Sequence, residues 1–238
     1  CYLKTADKQS ARNAFGMCAD MAFNPGQQEA SMIAYSKISY EMGYNDDALR
    51  QLNTLLTTFP NTHYKDEANT LISGLLVKTN NFAAALKHLE KVSRKDEYYK
   101  QVYQKATFGF AVKQYRDGDL NIALKYFTLA TKYPVNADYE CAAYFWKGEV
   151  SYQLHQYTDA INFSQDFINK KNSRSKVEQI SPLATEQHAY MNMGFAAMES
   201  KDYLGAQNYF GKAQDVSSND AYSGLVATLR EEIGRAHV

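Results

Sequence analysis

The segment DLNIALKYF (119–127) decides how the chain is interpreted, because related segments recur throughout the sequence. Each combines a turn residue, an alanine and, about four positions later, a bulky apolar residue. The others read DKQSARNAF (7–15), YNDDALRQL (44–52), NFAAALKHL (81–89), YTDAINF (157–163) and DYLGAQNYF (202–210). The shared alanines are separated by 37, 37, 38, 37 and 46 residues and are Ala11, Ala48, Ala85, Ala123, Ala160 and Ala206. A near-constant period of this kind indicates a protein built from structural repeats.

A second amphipathic stretch precedes each copy after the first, at 32–42, 69–78, 106–116, 143–154 and 188–200. Apolar residues recur there at three- and four-residue spacing, as in a helix with one buried face. Proline disrupts a helix interior, and the prolines of this chain fall between the repeats, at Pro25, Pro60, Pro134 and Pro182. No segment shows the alternation that is typical of a strand. The sequence therefore predicts an all-α fold of helix hairpins.

The fullest motif is Tyr144-Phe145-Trp146-Lys147-Gly148-Glu149, followed by Tyr152, Tyr157, Ala160 and Phe163. This unit resembles the tetratricopeptide repeat (TPR), whose pattern is a bulky residue, Leu-Gly, Tyr, then Gly-Asp-Tyr, Ala, an aromatic residue, Ala and Pro. The resemblance covers residues 1–215, and the period here is longer than the family's usual length of about 34 residues. It implies an α-solenoid of antiparallel helix hairpins, wound into a right-handed superhelix with a concave groove.

The repeat alanines are expected to let the two helices of a hairpin approach closely. Bulky residues are expected to fill the seam with the next hairpin, at Leu52, Leu89, Phe127, Phe163 and Phe210. Because no hairpin can bury its apolar face alone, the stability of such an array comes from stacking neighbours.

The spacing divides the chain into a truncated first repeat (1–28) and TPR units at 29–65, 66–103, 104–140, 141–182 and 183–218. A partial helix is expected over 219–231, and residues 232–238 are interpreted as a non-native tail. The chain is therefore interpreted as a fragment. The alternative for Cys1 is the lipid-bearing first residue of a bacterial lipoprotein.

The longer step from Ala160 to Ala206 locates an inserted basic loop at 169–181, NKKNSRSKVEQIS. Insertions in repeat proteins often lie on the binding face, which makes this loop a candidate for partner contact. The alternative is a solvated, flexible loop of no particular role.

Composition narrows the possible functions. The chain carries 26 basic and 26 acidic side chains, and this zero net charge argues against a nucleic-acid partner. No apolar run is long enough for a transmembrane segment. The histidines and the three cysteines show no metal-binding spacing, and no phosphate loop or nucleophile motif is present. The sequence therefore predicts a non-enzymatic protein without a cofactor or metal.

The resemblance implies which first-helix positions face the groove and contact a protein or peptide partner. Tyrosines beside mixed charges suit such recognition, although packing of helix on helix is the alternative for each tyrosine. Asparagine, which the family's carboxylate clamp requires at one of these positions, is absent there, so clamp function is not supported. The candidate partner-binding residues are Lys37, Tyr40, Glu41, Lys78, Val112, Tyr115, Arg116, Glu149, Tyr152, Gln153, His188, Phe195 and Glu199.

The resemblance thus favours a protein–protein interaction scaffold that binds a peptide or protein in the concave TPR groove. The alternatives are a regulatory or targeting arm of a larger enzyme or signalling protein, and an outer-membrane assembly lipoprotein. The tyrosine-rich repeats look most like large bacterial cell-envelope TPR proteins, which implies a periplasmic or cell-envelope location, with the cytoplasm as the alternative. The oligomeric state does not follow from the sequence.

Overall fold

The computed structural model describes residues 7–22 and 24–216. Several sequence-based predictions fall outside these residues. They concern Cys1, the partial helix at 219–231 and the tail at 232–238.

The described residues form twelve α-helices and no strand, which confirms the all-α prediction. Most of the helices pair as antiparallel hairpins with short turns, and the architecture is an α-solenoid of repeated hairpins. The helices are α1 (Lys8–Asp20), α2 (Pro25–Glu41), α3 (Asn45–Thr58), α4 (Lys65–Lys78), α5 (Phe82–Leu89), α6 (Glu97–Arg116), α7 (Leu120–Ala130), α8 (Ala137–Gln153), α9 (Tyr157–Lys170), α10 (Val177–Ile180), α11 (Glu186–Glu199) and α12 (Tyr203–Asp215).

The turn inside each hairpin has the same geometry in five repeats. Its central residue adopts a left-handed conformation, with φ between 58° and 87°, at Gly43, Asn80, Gly118, His155 and Lys201. The next backbone N–H then donates to a carbonyl in the last turn of the first helix, for example Asp119 to Gln114 at 2.9 Å and Asp202 to Ala197 at 2.9 Å. This is the Schellman motif, which satisfies carbonyls that a helix end leaves unpaired. At Gly118 the left-handed conformation costs little, because glycine has no Cβ atom.

The repeat alanines are all buried, as the sequence predicts, with exposed fractions of 2% or less. Glycines in the first helices of two hairpins allow the two helices of each hairpin to approach more closely. A Cβ atom at Gly194 would lie 2.5 Å from the Phe210 ring, and one at Gly148 would lie 2.5 Å from the Ser164 hydroxyl.

The seam prediction at Phe163 is wrong. Ser164 is the residue four positions after Ala160 and it is buried, whereas Phe163 is half-buried at the side of the hairpin. A Cβ atom at Gly148 would meet the Ser164 side chain and backbone, whereas the equivalent Gly194 of the next repeat lies against the Phe210 ring. Phe163 instead covers the buried Lys147, whose Nζ lies 3.9 Å from the ring centroid, and burial lowers the pKa of that lysine.

The chain divides into two compact units, residues 1–106 and 107–238. The core of the first unit is mainly aliphatic and includes Leu52, Leu55 and Ile72. The core of the second unit is aromatic, with Phe127 and Trp146 stacked at 5.9 Å between ring centroids.

Four repeat boundaries drawn from the sequence fall inside helices. The boundary at 28/29 lies in α2, that at 65/66 in α4, that at 103/104 in α6 and that at 140/141 in α8. The first turns of α2 and α4 are largely polar, with Pro-Gly-Gln-Gln-Glu in α2 and Lys-Asp-Glu in α4. In these helices the apolar residues that reveal the helical period begin after the first turn, so the sequence places the repeat boundary too late.

The segment 169–181 is a packed part of the second unit rather than a flexible loop. It contains α10, whose Val177 is fully buried, and the Trp146 indole N–H donates to the Ser181 hydroxyl at 3.0 Å. Two of its basic side chains form ion pairs, Lys170 with Glu140 at 2.8 Å and Lys171 with Glu178 at 2.7 Å. The interpretation as a solvated, flexible loop is therefore wrong.

The turns give a first test. Lys201→Gly should raise the free energy of unfolding by about 1 kcal/mol, because glycine tolerates the left-handed conformation that costs other residues energy. Gly118→Ala should lower it by a similar amount, since a Cβ there meets nothing within 4 Å and only the backbone is strained. Denaturant unfolding measures both changes. Lys125→Gly, in the helical part of α7, is the matched control and should destabilise. A loss of stability in Lys201→Gly would contradict the turn assignment.

Val177 tests the packing of the segment 169–181. Val177→Ala removes buried methyl groups and should lower the free energy of unfolding by about 2 kcal/mol. Gln179→Ala changes an exposed neighbour and should leave it within about 0.5 kcal/mol of the wild type. Equal stability of the two variants in denaturant unfolding would show that α10 does not pack on α8.

Candidate functional site

Three predicted residues at the carboxyl end of α2 lie together in the first unit. Lys37, Tyr40 and Glu41 line a cavity of about 320 Å³, which is termed the first groove. The opposite side comes from α4, from the start of α6 and from the segment that joins α5 to α6. Its other lining residues are Glu67, Thr70, Leu71, Arg94, Asp96 and Tyr98.

Two tyrosines form the wall of the first groove. The Tyr98 hydroxyl donates to the Tyr40 hydroxyl at 3.3 Å. Gly74 makes this arrangement possible, because a Cβ atom there would lie 2.5 Å from the Tyr98 hydroxyl. Burial, and then the hydrogen bond to Tyr40, raise the pKa of Tyr98 well above its ordinary value.

Ion pairs surround the mouth of the first groove. Lys37 binds Glu67 at 2.7 Å, and Glu41 binds Lys8 of α1 at 2.8 Å. Arg94 binds Asp96 at 3.2 Å. Exposed pairs of this kind contribute little to stability, so a partner can replace them at little energetic cost.

Lys78 joins the same cluster from α4. Its Nζ lies 3.8 Å from the centroid of the Tyr40 ring, a cation–π contact. A smaller cavity of about 110 Å³, termed the lysine pocket, lies beside Lys78 and is also lined by the two tyrosines. Its lining residues are Tyr40, Gly74, Val77, Lys78, Tyr98, Gln101, Val102 and Lys105.

Four predicted residues form a connected polar row in the second unit. The Gln153 amide donates to the Tyr115 hydroxyl at 2.6 Å and lies 3.4 Å from the Glu149 carboxylate. The second carboxylate oxygen of Glu149 lies 3.2 Å from Nε2 of His188. Burial, and then the charge of Glu149, raise the pKa of Tyr115.

The other predicted residues of the second unit have different environments. Burial, and then the charge of Glu199, raise the pKa of Tyr152. Val112 packs against the hydrophobic core, and the Phe195 ring packs edge-on against Phe210 at 5.2 Å between centroids. Arg116 is exposed at the end of α6.

Sequence reasoning missed Tyr98 and Leu71, which complete the first groove. Tyr98 lies before the boundary placed at 103/104, so it was not considered as a first-helix position. Tyr98 has no counterpart in α2 or α4, because it lies 18 residues before the end of α6 and those helices are only 17 and 14 residues long.

The described residues contain no group of three or more metal-ligating side chains, and none of their helices is long and apolar enough to span a membrane. Burial raises the pKa of the Cys141 thiol to about 12. This thiol is therefore protonated at neutral pH and is a poor nucleophile.

No family model and no curated protein matches the chain. Several solved structures are similar to it. The MamA protein shares 16% identity over 80% of this chain and 92% of its own, with a TM-score of 0.47. A tetratricopeptide repeat protein from Parabacteroides merdae shares 15% over 98% and 80%, with a TM-score of 0.40. The TPR2AB domain of yeast Sti1, in a complex with pHSP90, shares 14% over 98% and 94%, with a TM-score of 0.44.

The observation of a repeated helix-hairpin fold comes from the hairpins of this chain themselves. Buried alanines, Schellman turns and close helix pairs recur with the period that the sequence shows.

The environment of Tyr98 predicts a pH dependence of stability. Because its pKa is raised in the folded chain, the unfolded chain loses this proton first, near the ordinary tyrosine pKa of about 10. The contribution to the free energy of unfolding is fully present below that pH and falls as the pH rises above it. Tyr98→Phe should therefore lose less stability than the wild type between about pH 9 and about pH 11. Denaturant unfolding measures the difference, which should stay constant between about pH 7 and about pH 9. An equal loss of stability in both proteins at alkaline pH would contradict the claim that the Tyr98 hydroxyl is buried.

Proposed function

We propose that the chain is a protein-interaction scaffold that binds a peptide segment of a partner protein in the first groove. The observation that supports this most strongly is the convergence of Lys37, Tyr40 and Glu41 on one cavity. The resemblance to the TPR family implies that these positions face a partner.

The chemistry of the groove suits a side chain of a bound peptide. Leu71 and the two tyrosine rings provide apolar surface inside the cavity, and charged pairs stand around it. An apolar centre with a polar rim is the usual anatomy of a protein interface. The volume of about 320 Å³ accommodates one large apolar or aromatic side chain.

The polar row of the second unit, Tyr115, Gln153, Glu149 and His188, is proposed as an additional contact surface. Its side chains are held by one another, so a partner would meet a preorganised set of hydrogen-bonding groups. Arg116, Tyr152 and Glu199 extend this candidate surface, whereas Val112 and Phe195 would act through packing.

The direct test is selection of peptides from a displayed random library on the full chain, followed by calorimetry with the selected peptides. Tyr40→Ala removes the wall of the first groove and should weaken binding about tenfold or more, the cost typical of an interface hot spot. Tyr44→Ala is the matched control, because Tyr44 lies in the adjoining turn and does not line the cavity.

Two results would contradict the proposal. One is that no peptide is selected. The other is that Tyr115→Ala/Tyr152→Ala abolishes binding while Tyr40→Ala leaves it unchanged, which would move the binding site to the second unit.

A further inference from the structure

The lysine pocket differs in charge from the first groove beside it. The groove is lined by three carboxylates, those of Glu41, Glu67 and Asp96. The residues that line the lysine pocket include two lysines, an amide and two phenols, and no Asp or Glu. A concave site with positive charge and neutral donors attracts an anion.

The ammonium group of Lys78 supplies the main attraction. It lies over the Tyr40 ring at 3.8 Å, and no carboxylate of the described residues forms an ion pair with it. Lys37, which lines the first groove, by contrast forms an ion pair with Glu67 at 2.7 Å. The charge of Lys78 is thus available to a ligand in a way that the charge of Lys37 is not.

A neutral donor is positioned beside Lys78. Because the Tyr98 hydroxyl donates to Tyr40, the Tyr40 hydroxyl keeps its own proton for another acceptor. Gly74 allows the Tyr98 hydroxyl to reach this position, since a Cβ atom there would lie 2.5 Å from the Tyr98 hydroxyl and 3.7 Å from the Tyr40 hydroxyl.

We propose that the lysine pocket binds the side-chain carboxylate of an Asp or Glu within the partner peptide. This inference rests on the proposed function, because the peptide is the one whose apolar side chain lies in the first groove. Tyr40 and Tyr98 line both cavities, so the acidic residue lies next to the apolar one in the peptide. The specificity is for an acidic residue beside an apolar or aromatic anchor, and a free carboxyl terminus is not required.

A carboxylate fits the pocket better than a phosphate group does. Proteins commonly recognise phosphorylated peptides with clusters of arginine, whose planar group binds two oxygens at once. No arginine lines the lysine pocket. Its lysines, phenols and amide match a single negative charge, and its volume of about 110 Å³ holds a small planar anion.

The first experiment tests the pocket without any peptide. The full chain is labelled with carbon-13 tyrosine and titrated with acetate, acetamide or inorganic phosphate at constant ionic strength. Acetate should shift the Tyr40 and Tyr98 resonances saturably, acetamide should not, and Lys78→Gln should abolish the shift. Lys87→Gln, an exposed lysine on α5, is the matched control and should retain it. No saturable acetate shift, an unchanged response in Lys78→Gln, or tighter binding of phosphate than of acetate would overturn the proposal.

The second experiment uses the selected peptides in a double-mutant cycle. Replacing the acidic residue by its amide, Glu→Gln or Asp→Asn, should weaken binding to the wild type about tenfold, and should have little effect on binding to Lys78→Gln. Amidation of the peptide's carboxyl terminus should change neither affinity.

The two proposals fail in different ways. Peptides that bind the groove but tolerate the amide replacement would overturn the carboxylate inference and leave the scaffold function intact. Absence of any selected peptide would remove the scaffold function and with it the peptide part of the inference, even if acetate binds the pocket.

Discussion

The close approach of the two helices in each hairpin is the constraint on which the rest of this structure depends. A buried alanine in the second helix and a left-handed turn residue between the helices recur in step along the chain. The alanine permits contact of the two backbones, and the turn fixes the angle at which the chain reverses. Where glycines also occur in the first helix, at Gly148 and Gly194, the approach leaves room for nothing more than a hydrogen at that position.

The candidate site of the first unit is a product of the same constraint. Gly74 lies in α4, and the space that a side chain would fill at this position is occupied by the Tyr98 hydroxyl from α6. The paired tyrosines then separate two cavities of different character, one rimmed by ion pairs and one lined by lysines. Glycine at this position thereby shapes two neighbouring cavities whose lining residues differ in charge.

The sequence predicts those features that are set by local chemistry. The positions of the buried alanines follow from the period, and the left-handed turn at Gly118 follows from the freedom of glycine. The turns at His155 and Lys201 have the same geometry without glycine, so spacing is what indicates them. Of the candidate residues, Lys37, Tyr40, Glu41 and Lys78 were predicted and lie in one cluster. Tyr98 was missed because it precedes the repeat boundary drawn at 103/104.

Tertiary packing determines what the sequence does not reveal. The segment 169–181 has the composition of a loop, yet the burial of Val177 and the hydrogen bond from Trp146 to Ser181 fix it on α8. Phe163 was placed in the seam because aromatic residues fill that position in other repeats. Ser164, four positions after Ala160, lies against Gly148 instead.

The central claim is that a partner peptide binds to the first unit between α2, α4 and α6. A crystal structure of the full chain with one selected peptide tests it most directly. The account predicts an apolar peptide side chain over Leu71, between the Tyr40 and Tyr98 rings, with an acidic neighbour at Lys78. A peptide bound only to α8 and α11, with the first groove empty, would contradict it.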